Sequence, residues 1–313
     1  MKSVIAAMGG AIAAGCSFCS AQAQDLNRDG ANSQQYGVSY NTAGPISPSS
    51  GTSTVSPSSV PQAMERLNDA DTVFEFSLGS IYAEGDFGTG SKTMIWSNAL
   101  GARSRIGNWT FSASLPWMRI RSRSTIFTGV DSTPVLVAPN TSPVARTARG
   151  FGDLTVGAAY TIASASSPVE IELSGRVKIN TATEQSRLSS GENDYAAGAD
   201  VSMPIGRVTP FASVSYRILG DNALYRLRDG PAASAGASYA LGSNSFVLTS
   251  YHYSRAASGL VEDAHELFAG ASTKIAGSPL RLTGFATAGL SRGAADASGG
   301  LALSVGLRNR DGR

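Results

Sequence analysis

The chain has 313 residues, of which only 15% are charged, and it carries 35 glycines and a formal net charge of +2. An ordinary soluble domain is about 25% charged, so this composition suits many strands and tight turns with few charges to solvate both faces. It excludes a coiled coil and, lacking a strongly basic domain, a nucleic-acid binder.

Residues 1–23 read as an export signal. Lys2 supplies the positive n-region, Val4 to Gly15 form an apolar stretch of small residues, and Ala21-Gln22-Ala23 gives the cleavage site. Ala13-Ala14-Gly15-Cys16 loosely resembles a lipobox without its usual Leu, which leaves lipoprotein processing at Cys16 as a rival reading. Both cysteines, Cys16 and Cys19, fall inside the signal, so the mature chain has no disulfide framework. Residues 24–66 are Ser, Thr, Pro and Gly with almost nothing to bury, the composition of a flexible periplasmic segment; a plug for a pore is the functional alternative. Beyond residue 23 no apolar run approaches the ~18 residues of a spanning helix, so a mature chain that enters a membrane must do so as a closed barrel.

From about residue 70 apolar residues recur at every second position, in segments longer than the usual strand and matched to the roughly 9–11 residues of a tilted membrane strand. The clearest is Trp109, Phe111, Ala113, Leu115, Trp117. Others are Leu154, Val156, Ala158, Tyr160, Ile162, and Val169, Ile171, Leu173, Gly175, Val177, Ile179. Weaker ones begin near Val73, Thr93, Tyr195, Val208, Ala233, Ser245, His265, Leu280 and Gly299, for twelve strands in all. Short connections at 164–168, 206–207, 242–244 and 276–279 alternate with long ones at 119–150, 181–193, 220–230, 256–263 and 292–298. Short periplasmic turns alternating with longer external loops are the pattern of an outer-membrane barrel. The expected fold is therefore all-β: a twelve-stranded antiparallel up-and-down barrel over residues 70–308, both ends at the periplasm.

Trp109 and Trp117 share one face about 26 Å apart along the strand, roughly 20 Å of height after tilting, which fits two aromatic girdles. Pro116 cannot donate to a ladder, so a bulge or the strand's exit from the membrane is expected there. Arg119, Arg121 and Arg123 continue the outward parity just above the upper Trp, at the depth of lipid phosphates, where guanidinium contact with lipopolysaccharide is expected. On the polar parity Glu170, Glu172, Arg176 and Lys178 are expected to line the lumen, joined by Asp153, Asp194 and Asp200. A wall of both signs implies either a water-filled channel or an interior locked by ion pairs.

His252-Tyr253-Ser254 places an imidazole and a hydroxyl on one strand face, as in outer-membrane lipid hydrolases, but Arg255 follows where those have Asn, and no acidic partner is evident. No catalytic residue is assigned on this ground. His265-Glu266 points to opposite faces, and two histidines with no mature cysteine suggest neither a metal centre nor another cofactor.

Gly150-Phe151-Gly152-Asp153-Leu154, with Gly157 and Tyr160, is similar to the G-x-G-D-L strand start of outer-membrane transporters named for the meta-pathway of phenol degradation. The likeness continues through 176–181, Gly191-Glu192-Asn193-Asp194-Tyr195 with Gly198 and Asp200, and Gly289-Leu290-Ser291. Asn180 and Ala182 replace that family's usual Pro and Gly, and the last strand ends at Leu307 without a terminal aromatic, where barrel-assembly machinery generally reads Phe. The resemblance implies a porin-like barrel in the outer membrane of a Gram-negative cell, a transporter passing small aromatic or hydrophobic solutes. The alternative is a structural or surface-binding barrel, closed inside and contacting lipopolysaccharide.

Overall fold

The computed structural model describes residues 72–130, 134–138, 143–164, 166–183, 186–221 and 227–308. The export signal, Cys16 and the segment 24–66 lie outside the described residues. Strands β1 (Thr72–Gly85), β2 (Thr93–Ile106) and β3 (Trp109–Ser122) open the wall. Two short strands, β4 (Thr125–Thr128) and β5 (Pro134–Ala138), form a hairpin of their own outside the main sheet. The wall resumes with β6 (Arg146–Phe151), β7 (Leu154–Ser164), β8 (Ser167–Ile179), β9 (Asp194–Ser202) and β10 (Val208–Ile218). It ends with β11 (Gly230–Ala240), β12 (Ser245–Ser254), β13 (Ala264–Lys274), β14 (Leu280–Gly289) and β15 (Ala297–Arg308).

β6 and β7 are two pieces of one stave. β3 pairs with β6 from Trp117↔Phe151 to Ser122↔Arg146, and with β7 from Trp109↔Tyr160 to Ser114↔Thr155. Counting that pair once, twelve antiparallel staves follow in chain order, and β1 closes on β15 from Thr72↔Arg308 to Glu84↔Ala297. The fold is a closed twelve-stranded antiparallel barrel. The turns at 107–108, 165–166, 203–207, 241–244 and 275–279 share one end with the start of β1 and the end of β15. The longer connections share the other end, and they include the β4–β5 hairpin and the loops 180–193, 219–229 and 255–263.

Two sequence expectations change in detail. The connection after β3 runs over 123–145 rather than 119–150, because the strand continues to Ser122 and 146–151 belong to the wall. Pro116 neither bulges nor ends its strand, and it stays in register with Ala99 of β2. The irregularity lies in the neighbouring stave instead: the Pro116 carbonyl accepts from Gly152 N–H at 2.9 Å, in the gap between β6 and β7. Within a strand a residue's N–H and C=O point to the same side, so the donor Pro lacks would have faced that gap.

The strands are inside out relative to a soluble protein. On β2 the outward Leu100 is 61% exposed while the inward Ser97 is 2% exposed. Leu78, Leu173, Val214 and Leu267 stand on the same outer surface, whereas Ser114, Ser202, Ser215 and Ser250 are buried inside. A closed sheet with an apolar exterior and a hydroxyl-lined interior is built for hydrocarbon. Aromatics bracket the outer band: Tyr82, Trp96, Trp117 and Tyr195 stand toward the loop end, Trp109, Tyr160 and Tyr239 toward the turn end. Trp109 leans on Tyr160 at 5.0 Å between ring centroids.

The protein's three tryptophans, Trp96, Trp109 and Trp117, all face outward. Their fluorescence in vesicles should therefore be quenched more by lipids brominated near the headgroup than by lipids brominated near the bilayer centre. Equal quenching at both depths would contradict the two belts.

Candidate functional site: an apolar lid over a two-sided lumen

The rim at the loop end is held by buried charge. Lys178 Nζ, at the top of β8, lies 3.2 Å from Asp153 Oδ2 and 3.0 Å from Asp194 Oδ2, with all three side chains at most 2% exposed. Asp153 sits in the gap between β6 and β7, where its Oδ1 accepts the Thr181 and Ala182 amides at 3.0 and 2.9 Å and its Oδ2 accepts the Ser189 hydroxyl at 2.7 Å. Asp194 Oδ1 accepts the Gly220 amide at 2.9 Å. Asn180 adds to the group, donating from its side-chain amide to the Gly191 carbonyl at 2.8 Å and from its backbone N–H to Asn193 Oδ1 at 2.9 Å, at the strand end. Two carboxylates against one ammonium leave an excess negative charge, which the backbone donors of two loops offset. Three of the residues expected along the lumen are thus gathered at its rim.

Above the rim the β4–β5 hairpin reaches across the mouth. Ile126 buries among Ala83, Ile95, Met118 and Ile120, the inward residues atop β1 to β3, together with the loop residues Phe87, Leu188 and Ala295. Its neighbour Phe127 points the other way and, with Val135, packs on Leu219, Ala257 and Leu227. Those last residues flank β10, β11 and β12, the staves on the far side of the barrel from β3. Alternation within a four-residue strand therefore bridges the two walls with one side chain each. Phe87 contributes from the left-handed region (φ 50), a strained conformation for an aromatic residue, and the Asp86 carboxylate, accepting from Gly88 N–H at 2.8 Å, supports the turn.

Beneath the lid the lumen has two flanks. On β8 and β9 the parity of Glu170, Glu172, Arg176 and Asp200 is inward, and Glu172 stands in register with Asp200. Arg176 passes over Gly157: a Cβ there would meet Arg176 Cγ at 3.2 Å and Ser112 Oγ at 2.9 Å, so the absent side chain makes room for the guanidinium stem. A small cavity of about 20 Å³, room for a water, is lined here by Arg103, Ser112, Ser174 and Arg176. The other flank, on β12 to β14, is aromatic. Phe268 stacks on Phe285 at 5.6 Å, His252 tilts against Phe268 at 5.9 Å, and Arg281 lies 5.9 Å over Phe246. Cross-strand hydroxyl pairs cover much of the rest, including Ser213–Ser234 at 2.8 Å, Ser272–Thr283 at 2.9 Å and Thr287–Ser298 at 2.6 Å.

His252 and Ser254 share the inner face, but the His252 ring bonds Ser250 Oγ at 2.7 Å. Glu266 stands opposite His252 across the β12–β13 pair, an acidic neighbour that the separate strand sequences did not reveal. His265 turns outward to bond the Tyr251 hydroxyl. Among the described residues no group of three or more His, Cys, Asp or Glu could hold a metal ion. On the outer face Trp109 is 44% and Trp117 36% exposed, and Arg119 and Arg121 continue that parity above Trp117. Arg123 lies past the end of β3, exposed.

Two outcomes follow from the rim. Replacing Lys178 by Met leaves two buried carboxylates without their cation and should destabilise the barrel by roughly 3–5 kcal/mol in urea unfolding from vesicles. In the loop after β12, burial pushes the Asp263 carboxyl up, but the Ala256 amide at 2.9 Å, the Tyr253 hydroxyl at 2.8 Å and the Arg228 and Arg255 charges outweigh it and hold the group below the usual carboxylate range. A lowered pKa stabilises the loop above the ordinary value and loses that effect as the pH falls below about 4. The protection of the Ala256 amide hydrogen, its exchange rate compared with the intrinsic rate at the same pH, should therefore fall at acid pH, and Asp263→Asn should abolish that fall.

No family model matches the chain, and no curated protein matches it, so the likeness to the phenol-pathway transporters stands on the quoted motifs. Among solved structures it is similar to the KdgM porin at 10% identity, covering 74% of this chain and 99% of that one with a TM-score of 0.46. The CymD monoaromatic hydrocarbon channel is similar at 10% identity over 86% of this chain and 99% of that one, TM-score 0.46. The toluene transporter TodX of P. putida gives 9% identity over 82% of this chain and 93% of its own, TM-score 0.40.

Proposed function

We propose that the barrel is an outer-membrane channel for small, largely apolar solutes, aromatic ones included, which enter from the outside past the β4–β5 lid. The observation that carries this reading is the lid itself: Ile126 and Phe127, adjacent in sequence, bury in apolar clusters over opposite walls. A hydrocarbon-lined constriction resists hydrated ions by dewetting and offers no such barrier to an apolar solute. Below it a solute meets ring faces on one flank, Phe268 and Phe285, and hydroxyls and charged side chains on the other. That surface suits a flat ring with a polar edge, because ring stacking and hydrogen bonding are offered from opposite sides. The motif likeness to the phenol-pathway transporters supports the same solute class.

A second reading shares the lid. If the hairpin never leaves the mouth, the barrel is a closed structural or surface-binding element. Planar bilayers and uptake assays separate the two. The wild type should conduct ions poorly yet speed the entry of phenols into cells that carry it. Ile126→Ser with Phe127→Ser should raise ion conductance several-fold, because the apolar seal becomes wettable. Phe268→Ser should slow phenol uptake while leaving conductance nearly unchanged. A wild type that passes no phenol, beside a lid variant that passes ions, would establish the closed reading.

A further inference from the structure

The outer face above the upper aromatic belt carries a charge arrangement that no residue of the wall explains. Arg119 of β3 and Arg149 of β6 are register partners on the lipid side. Arg149 is exposed, while its neighbour Ala148 packs inward on the apolar cluster beside Ile120. Side chains directly opposite in an antiparallel pair have their Cβ atoms about 5 Å apart, and like charges in that position are destabilising. Arg121 stands one step higher on the same face, so three guanidiniums share one patch. None of the three has a hydrogen-bond or ion-pair partner among the described residues. In the cross-strand row that runs Arg121, Met94, Glu84, the one carboxylate is already committed, to Lys92 at 2.9 Å and to the Tyr82 hydroxyl at 2.8 Å.

Height completes the argument. Trp117 pairs with Phe151 directly below Arg119 and Arg149, and Trp96 is Arg119's partner on the other side. Two residues along a tilted strand raise Arg119 and Arg149 about 5 Å above Trp117 and Phe151, to the level where acyl chains give way to phosphates. A single anion between Arg119 and Arg149 turns their repulsion into two charge-assisted bonds, and planar guanidiniums take a phosphate bidentately.

We propose that Arg119, Arg149 and Arg121 form a binding site for the phosphates of a bis-phosphorylated glycolipid of the outer leaflet, the lipid A portion of lipopolysaccharide. The site is independent of permeation, since it lies on the outside of the wall.

The test uses the purified full chain and native mass spectrometry with lipid A, either bis-phosphorylated or stripped of both phosphates. The wild type should retain the bis-phosphorylated form, with binding about tenfold weaker for the stripped lipid and for Arg119→Gln with Arg149→Gln, the loss of one charge-assisted contact. Arg207→Gln, in a turn at the opposite end, should bind like the wild type. Lipid A should also protect Arg119 and Arg149 of the unaltered protein from phenylglyoxal, a readout that does not depend on a variant folding. Equal retention of both lipids, full binding by the double variant, or absence of protection would overturn the proposal. So would displacement of lipid A by an equimolar amount of inorganic pyrophosphate, which would assign the patch to free phosphate.

Discussion

In hydrocarbon there is no water to satisfy a backbone amide, and each unsatisfied N–H or C=O costs several kcal/mol, so a sheet that spans a membrane has to close on itself. Closure is made here by β1 and β15, in register over nearly their whole length. It has a further consequence, because a closed sheet has one inside and one outside. Each strand's parity is then fixed, and a slip by one residue would carry every hydroxyl to the lipid and every Leu to the lumen. The wall permits an exception at one place. Pro116 cannot donate, and the stave beside it is interrupted at residues 152–153, so the missing hydrogen bond coincides with a gap rather than opening one elsewhere.

That gap is also where Asp153 enters the rim. Two buried carboxylates around one ammonium would be costly in an apolar wall, and amide donors from the loops 180–193 and 219–229 reduce the cost. The same bonds tie those loops to the top of β7, β8 and β9, giving the mouth a firm edge on that side. The lid rests on different material. The packing of Ile126 on β1–β3, and of Phe127 and Val135 on the residues around β10–β12, is apolar and non-directional.

How much of this could be read from the sequence depends on whether a feature lies within one strand or between strands. Alternation along Trp109–Trp117 and along 169–179 is a property of one segment, and it gave the strands, their outward residues and the inward parity of Glu172, Arg176 and Lys178. Counting such segments gave the strand number, and the sorting of loops by length gave the barrel. β6 escaped, because Arg146, Arg149 and Gly150 within it resemble a loop, and with β6 hidden there was no way to see Arg149 beside Arg119. The neighbours of His252 show the same limit. That His252 and Ser254 share a face is visible in the chain, but the ring's bond to Ser250 and its register with Glu266 follow from a rotamer and a strand pairing. The lid joins residues such as Ile126 and Leu188 that no periodicity connects.

β3 concentrates these constraints. Its inner face, Met118 and Ile120, forms the seat of the lid, while its outer face carries Trp117, Arg119 and Arg121 at the edge of the bilayer. A shift of one residue relative to β2 would place guanidiniums in the apolar seat and a methionine among headgroups, undoing both surfaces at once. The pairing with β2 runs unbroken from Met94↔Arg121 down to Ile106↔Trp109, and it is set at the bottom by the two-residue turn of Gly107 and Asn108. Gly107 has φ 58, the left-handed value that a turn of this length demands at its first position and that a residue with a Cβ would adopt only under strain. A glycine at the turn end thus fixes the alignment on which the lid and the basic patch both depend, a full strand length away.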